Sequence, residues 1–234
     1  MTVSTPARRR GRPPVDPARQ DAARQQILDA AGRVYAVTGF HGLTLDRVAA
    51  EAGLSRPTLY KHFPDAAAIT EALVQAVNDR LIAAMITAAT ASDDPFARLG
   101  AALLAWRAWG ETPDIARLLP MLFAELHNPQ SPAFRHRQRT LGVFSDLVQR
   151  QVTLSGRPAP SPLAVDTLLQ GVEFVGYRFL LDPVRDDARW QDTLNVMLRL
   201  ALGLIGTAED RESADVWSDR FRLAATPASA GDSA

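Results

Sequence analysis

Apolar residues recur along most of this chain at the spacing of amphipathic helices, and no stretch shows the alternation expected of a half-buried strand. The first stripe is Ile27, Leu28, Ala31, Val34 and Tyr35, which predicts a helix from about Asp21 with Gly39 as its C-terminal stop. Leu45, Val48, Ala49 and Ala52 form the next stripe. Thr44 is placed as its N-cap, Asp46 suits the positive helix start, and Gly53 ends it. Ser55 can cap a third helix at once, which Pro64 stops after about two turns. Two short helices joined by a glycine-containing turn predict a helix-turn-helix.

Asp65 is placed to cap a long fourth helix, with Ile69, Leu73, Val77, Leu81 and Met85 on one face, running to about Thr90. Position 68, where a Glu would complete a capping box with Asp65, is Ala. Further helices are predicted near residues 95–109, 114–127, 132–152, 163–181 and 188–206, separated by Pro and Gly clusters. The expected fold is all-α: a flexible arm over residues 1–20, a three-helix DNA-binding domain over 21–81, a larger helical domain over 82–210 and a tail over 211–234. The small polar residues from Thr226 onward are expected to lack order.

Composition narrows the function. The chain has 234 residues, is 47% hydrophobic and carries no net charge. Its polar, basic start does not read as a secretory signal, and no apolar run approaches the length of a membrane span, so the expected location is cytoplasmic and no membrane partner is expected. Cysteine is absent, which removes disulfides and thiolate chemistry together. The zero net charge hides an asymmetry. Residues 1–64 carry ten basic side chains against five acidic ones, so the remainder is acidic. A basic head on an acidic body suits a polyanionic partner, because phosphate attraction is local and screened beyond about 8–10 Å.

The stretch from Thr44 to Pro64, with Gly39 and Phe40 before it, the Ala-Gly-Leu-Ser turn at 52–55 and Thr-Leu-Tyr-Lys-His-Phe at 58–63, closely resembles the helix-turn-helix signature of the tetracycline-repressor (TetR) family. The resemblance covers about residues 21–81. Independently, Leu59 and Phe63 stand four apart and face inward, which leaves Arg56, Pro57, Tyr60 and Lys61 outward, where they can enter a major groove. The resemblance implies that the first residues of this helix, Ser55, Arg56 and Pro57, meet base edges, while Thr44, Thr58, Tyr60, Lys61 and His62 position the helix on phosphates; His62 alternatively packs on the first helix. In the arm, Arg10-Gly11-Arg12-Pro13 resembles an AT-hook core, so Arg10 and Arg12 are expected in a minor groove or, more simply, on phosphates.

The resemblance further implies a sequence-specific transcriptional regulator that binds double-stranded operator DNA as a homodimer, a repressor released by a small apolar or aromatic effector. Trp106, Trp109, Met121, Phe123, Phe144, Phe174 and Tyr177 offer material for an effector cavity, or are plain core. Glu125 and Arg178 sit among apolar neighbours, so both are expected to be partly buried, either paired with one another or holding the polar end of the effector. Leu168, Leu169, Val172, Val175, Gly176 and Phe179, with Leu194, Met197, Leu198, Ala201 and Ile205, suit a four-helix dimer seam. The chain has no phosphate loop, nucleophile triad or metal-binding signature, and His127 and His136 lack ligand-spaced companions. No catalytic residue, cofactor or metal is therefore expected, and an enzyme is a remote reading. A ligand-independent DNA-organising protein with the same head is the other reading.

Overall fold

The computed structural model describes residues 17–91, 95–154 and 156–224. Among them it forms helices and no strand: α1 (Pro17–Gly42), α2 (Leu45–Ala52), α3 (Arg56–Tyr60), α4 (Ala66–Ala89), α5 (Pro95–Glu111), α6 (Pro113–Glu125), α7 (Pro132–Leu154), α8 (Pro162–Leu181), α9 (Asp187–Leu204), α10 (Ala208–Glu212) and α11 (Ala214–Ala224). The three-helix head and the larger helical body are as the pattern predicts. The arm residues Arg10 and Arg12, and the residues from Thr226 onward, lie outside the described part.

Helix α1 starts at Pro17, inside the stretch expected as arm, because proline is tolerated in a first helical turn, where its missing N–H has no partner to lose. Its helical geometry breaks at Gly39, with φ 64° and ψ −167°, a conformation that side chains strongly disfavour. The head buries Ile27, Ala30, Ala31, Tyr35, Leu43, Val48, Ala49, Leu59 and Phe63. Burial of large side chains of this kind contributes about 1.5–3 kcal/mol each. Local caps then fix the joints: Thr44 accepts from the Arg47 N–H, Ser55 from Thr58 and Asp65 from Ala68, while Gly53 closes α2 in the left-handed conformation at φ 65°.

Helix α4 belongs to both halves. Ile69, Leu73, Val77 and Leu81 are buried, and the helix packs against α1 on one side and α5 and α7 on the other. By length and composition alone it could span a membrane, contrary to the expectation from apolar runs. Its Glu71, Asp79 and Arg80 and its buried stripe instead suit a helix wedged between protein layers.

In the body, α5 and α8 approach closely at two glycines. A Cβ on Gly176 would stand 2.6 Å from the Trp106 ring, and one on Gly110 would stand 2.2 Å from Leu180. Two expectations change here. Leu168, Phe179, Leu194, Met197 and Leu198, expected on an intersubunit seam, are buried within the protomer, because α8 and α9 turn those faces toward each other and the core. The large apolar residues that α8 and α9 leave exposed are Leu163, Phe174, Val196 and Leu204. The stretch 211–224, expected as tail, contains the end of α10 and all of α11, which packs on α5 and α9. It is tied down by Arg157, which donates to both carboxylate oxygens of Asp210 at 2.8 and 2.9 Å, and by a capping box between Thr207 and Asp210.

Candidate nucleic-acid interface and its link to the body

The outward face of the second short helix is built by contrast. Leu59 is fully buried and Phe63 nearly so, while Ser55, Arg56, Pro57, Tyr60 and Lys61 are exposed, with Thr58 and His62 half-buried beside them. Tyr60 is 56% exposed, so its ring and hydroxyl are open to a partner. Helix α3 is shorter than expected, five residues, so Lys61 and His62 lie in the turn that follows it. That turn is still anchored, since the His62 and Phe63 N–H groups each donate to the Leu59 carbonyl at 2.9 Å.

Charge on this face is arranged rather than scattered. Arg56 forms an ion pair with Asp46 of α2, both side chains being well exposed. An exposed pair of this kind is worth about 0–1 kcal/mol, so it can orient the guanidinium yet yield to a better acceptor. Arg47 donates to the Gly42 carbonyl at 2.8 Å, and Arg33 pairs with Glu51 at 2.5 Å, bracing α2 on α1. Arg24 lies 4.4 Å above the Phe63 ring. Thr44 is exposed and already accepts from Arg47, leaving its hydroxyl hydrogen free to donate.

The expected effector residues separate into three groups. Trp106, Phe123, Phe174 and Tyr177 come together: Trp106 meets Tyr177 edge-on at 6.1 Å, and Phe123 lies 5.2 Å from Tyr177 and 6.2 Å from Phe174. Trp109 is buried apart from these ring contacts, and Phe144 is half-buried on α7. Met121 and Glu125 face α1, not the ring cluster.

The expected pairing of Glu125 with Arg178 does not form. Arg178 is exposed, because the α8 turn that buries Tyr177 and Phe179 points it outward. Glu125 is buried, and its Oε1 accepts the Phe40 backbone N–H at 2.7 Å. Beside it, burial and then the Glu125 charge push the Tyr35 phenol above its ordinary value. The Tyr35 hydroxyl faces Glu125 and Ser131 without meeting either in good hydrogen-bonding geometry.

The charge pair that the body does bury is Arg137 with Glu173, at 2.6 Å, next to the aromatic cluster. Desolvation outweighs the Arg137 guanidinium and holds the Glu173 carboxyl above its usual range. Burial, and then Glu173, raise the Tyr177 phenol. His136, noted for metal, is buried and bonded to Glu71 of α4 at 2.8 Å, while His127 is exposed. At Glu71, desolvation acts upward, but hydrogen bonds from Arg135 and His136 prevail and leave the carboxyl below its usual value. Sequence reasoning missed this pair: Arg137 stands among polar neighbours, whereas Glu173, flanked by Val172, Phe174 and Val175, carried the same signal that singled out Glu125 and Arg178.

Residues 27–73 match the family model of bacterial regulatory proteins of the tetR family. The chain is 34% identical over 87 residues to the HTH-type transcriptional activator FasR of Mycolicibacterium smegmatis; the match spans 37% of this chain and 40% of that protein's length. In fold it is similar to the fatty acid degradation regulator FadR of Bacillus halodurans, with a TM-score of 0.62 at 18% identity, covering 78% of this chain and 96% of that one. It is also similar to SmeT, the repressor of the Stenotrophomonas maltophilia multidrug efflux pump SmeDEF, with a TM-score of 0.61 at 20% identity, covering 79% and 91%.

Proposed function

Given a head that belongs to the tetR family of bacterial regulatory proteins, we propose that this chain is a homodimeric, sequence-specific DNA-binding regulator whose body responds to a small apolar or aromatic molecule. The observation that carries the reading is the exposed face of Arg56, Pro57, Tyr60 and Lys61, held out by a fully buried Leu59 between two capped helices. Arg56 reads a base edge, and Lys61, in the turn beyond α3, meets the backbone. Ser55, Pro57, Thr58, Thr44, Tyr60 and His62 shape and position that contact, and Arg10 and Arg12 add phosphate attraction from the arm.

Trp106, Phe123, Phe174 and Tyr177, bordered by the Arg137–Glu173 pair, are the proposed effector contacts. Phe174 is 54% exposed and offers a way in. The exposed Leu163 of α8 and Val196 and Leu204 of α9 favour pairing of two copies there. Repression relieved by the effector is the first reading of its sign. Activation is the second, favoured by the similarity to FasR, which is named an activator.

The decisive experiment is selection of bound fragments from genomic DNA, followed by binding to the selected duplex with and without candidate effectors. A single palindromic sequence class is the expected result. Coupling between effector and DNA of about 1–3 kcal/mol, or 5–150-fold, is expected. Binding without sequence preference, unaffected by any small molecule, would favour a DNA-organising protein. A reporter placed behind the selected duplex reads the sign.

A further inference from the structure

We infer that Glu125 is a positioning residue that sets the direction in which the DNA-binding head leaves the body. The inference rests on the regulator reading above and concerns a contact between α1 and α6 rather than the DNA face itself.

Three observations meet at one point. The helical ladder of α1 breaks at Gly39, and the break releases the next N–H, that of Phe40, from the helix. That N–H donates to Glu125 at the end of α6, across 85 residues of sequence, at 2.7 Å. The carboxylate is only 9% exposed, and its second oxygen is buried with no hydrogen-bond partner.

Gly39 makes this approach possible twice over. Its φ of 64° and ψ of −167° suit glycine, and a Cβ there would lie 2.8 Å from Met121 Sδ and 3.1 Å from Glu125 Oε1. The backbone thus comes close enough for a charge-assisted hydrogen bond, the stronger and more directional kind. A packing role alone would be served better by an apolar side chain, because a buried carboxylate with an unsatisfied oxygen costs stability. What the carboxylate supplies is direction. Four residues after Phe40 stands Thr44, the cap of α2, with the buried Leu43 between them, so the orientation fixed at Phe40 passes to both short helices. A dimer reading two half-sites about 34–36 Å apart needs that orientation held.

The test exploits the absence of cysteine. Spin labels on Ala50→Cys in α2 and Gln138→Cys in α7, both exposed positions, report the distance between head and body in the full chain, diluted with unlabelled protein. The labelled chain is then compared with versions carrying Glu125→Gln, which keeps an acceptor oxygen, and Glu125→Met, which keeps the length and removes it. A narrow distance distribution for the unsubstituted chain and Glu125→Gln, broadened at least twofold by Glu125→Met, is the expected result.

Binding to the selected duplex and to versions lengthened by one to three base pairs at the centre gives a second readout. The unsubstituted chain should prefer the natural spacing at least tenfold, and Glu125→Met should lose most of that preference. An unchanged distribution in Glu125→Met would overturn the proposal. So would failure of Glu125→Met to unfold cooperatively, since Glu125 would then be supporting the fold rather than aiming the head. If no duplex is selected at all, the regulator reading fails, and the label distances still decide the role of Glu125.

Discussion

In the head, polar side chains close local circuits: Thr44, Ser55 and Asp65 each cap a helix by accepting an N–H three residues ahead. In the body and at its junction with the head, buried charges reach across the chain. Arg137 finds Glu173 36 residues away, Arg157 finds Asp210 at 53, His136 finds Glu71 at 65 and Glu125 finds Phe40 at 85. The head's joints are therefore set by short-range caps, with Arg33–Glu51 bracing α2 on α1, and its basic side chains stay exposed, where a polyanion can take them. The body uses its charges to hold helices in register, and the Arg137–Glu173 pair lies beside Tyr177 of the aromatic cluster.

The sharpest way to break this comparison is to remove Arg137. Arg137→Met leaves Glu173 buried without its counter-ion and should cost about 3–5 kcal/mol, read as a lower midpoint in chemical denaturation. Adding Glu173→Leu should recover most of the loss, since both ends of the pair are then apolar. A single variant that unfolds at the original midpoint would mean the pair is solvated in solution.

Substitutions on the proposed DNA face should leave that midpoint almost unmoved and act on binding. Arg56→Ala should lose about 1–3 kcal/mol of discrimination at one symmetric pair of positions in the selected duplex. Lys61→Ala should weaken all sequences alike and lower the salt slope by about one for each phosphate it no longer neutralises. Binding of both variants to a duplex library at two salt concentrations checks this. Unchanged base preference in Arg56→Ala would put a different residue in the groove.

The smallest expected effect belongs to the caps. Thr44→Ala and Ser55→Ala should each cost about 1 kcal/mol, with faster amide exchange confined to α2 and α3. If Thr44→Ala proved as damaging as Arg137→Met, the division into local and long-range wiring would fall.

That division also explains what could be read in advance. Capping residues, the Leu59 and Phe63 spacing and the stop at Gly53 are properties of neighbours in sequence, so these parts of the head were legible, whereas Gly39, expected as the end of the first helix, is a kink within α1, which runs on to Gly42. Arg178 was misplaced because a charge in an apolar run looks buried, whereas its helix simply turns it outward. Arg137 gave no local sign, and although Glu173 stands between Val172 and Phe174, its pairing with Arg137 depends on how α7 meets α8. The apolar faces of α8 and α9 were visible, but periodicity cannot say whether a stripe meets its own chain or a second copy. Helix α11 was missed because its short apolar pattern gains meaning only against α5 and α9.

Helix α11 also fixes an order of events during synthesis. Chains are made at about 5–20 residues per second and tend to fold from the N-terminus. The head can close once residue 81 has emerged, whereas α5 waits for a partner that is translated more than a hundred residues later. For several seconds each new molecule therefore carries a packed head that still lacks the Glu125 contact and a body whose α5 still lacks α11, and a ribosome-bound nascent chain should protect the amides of α2 and α3 before those of α5.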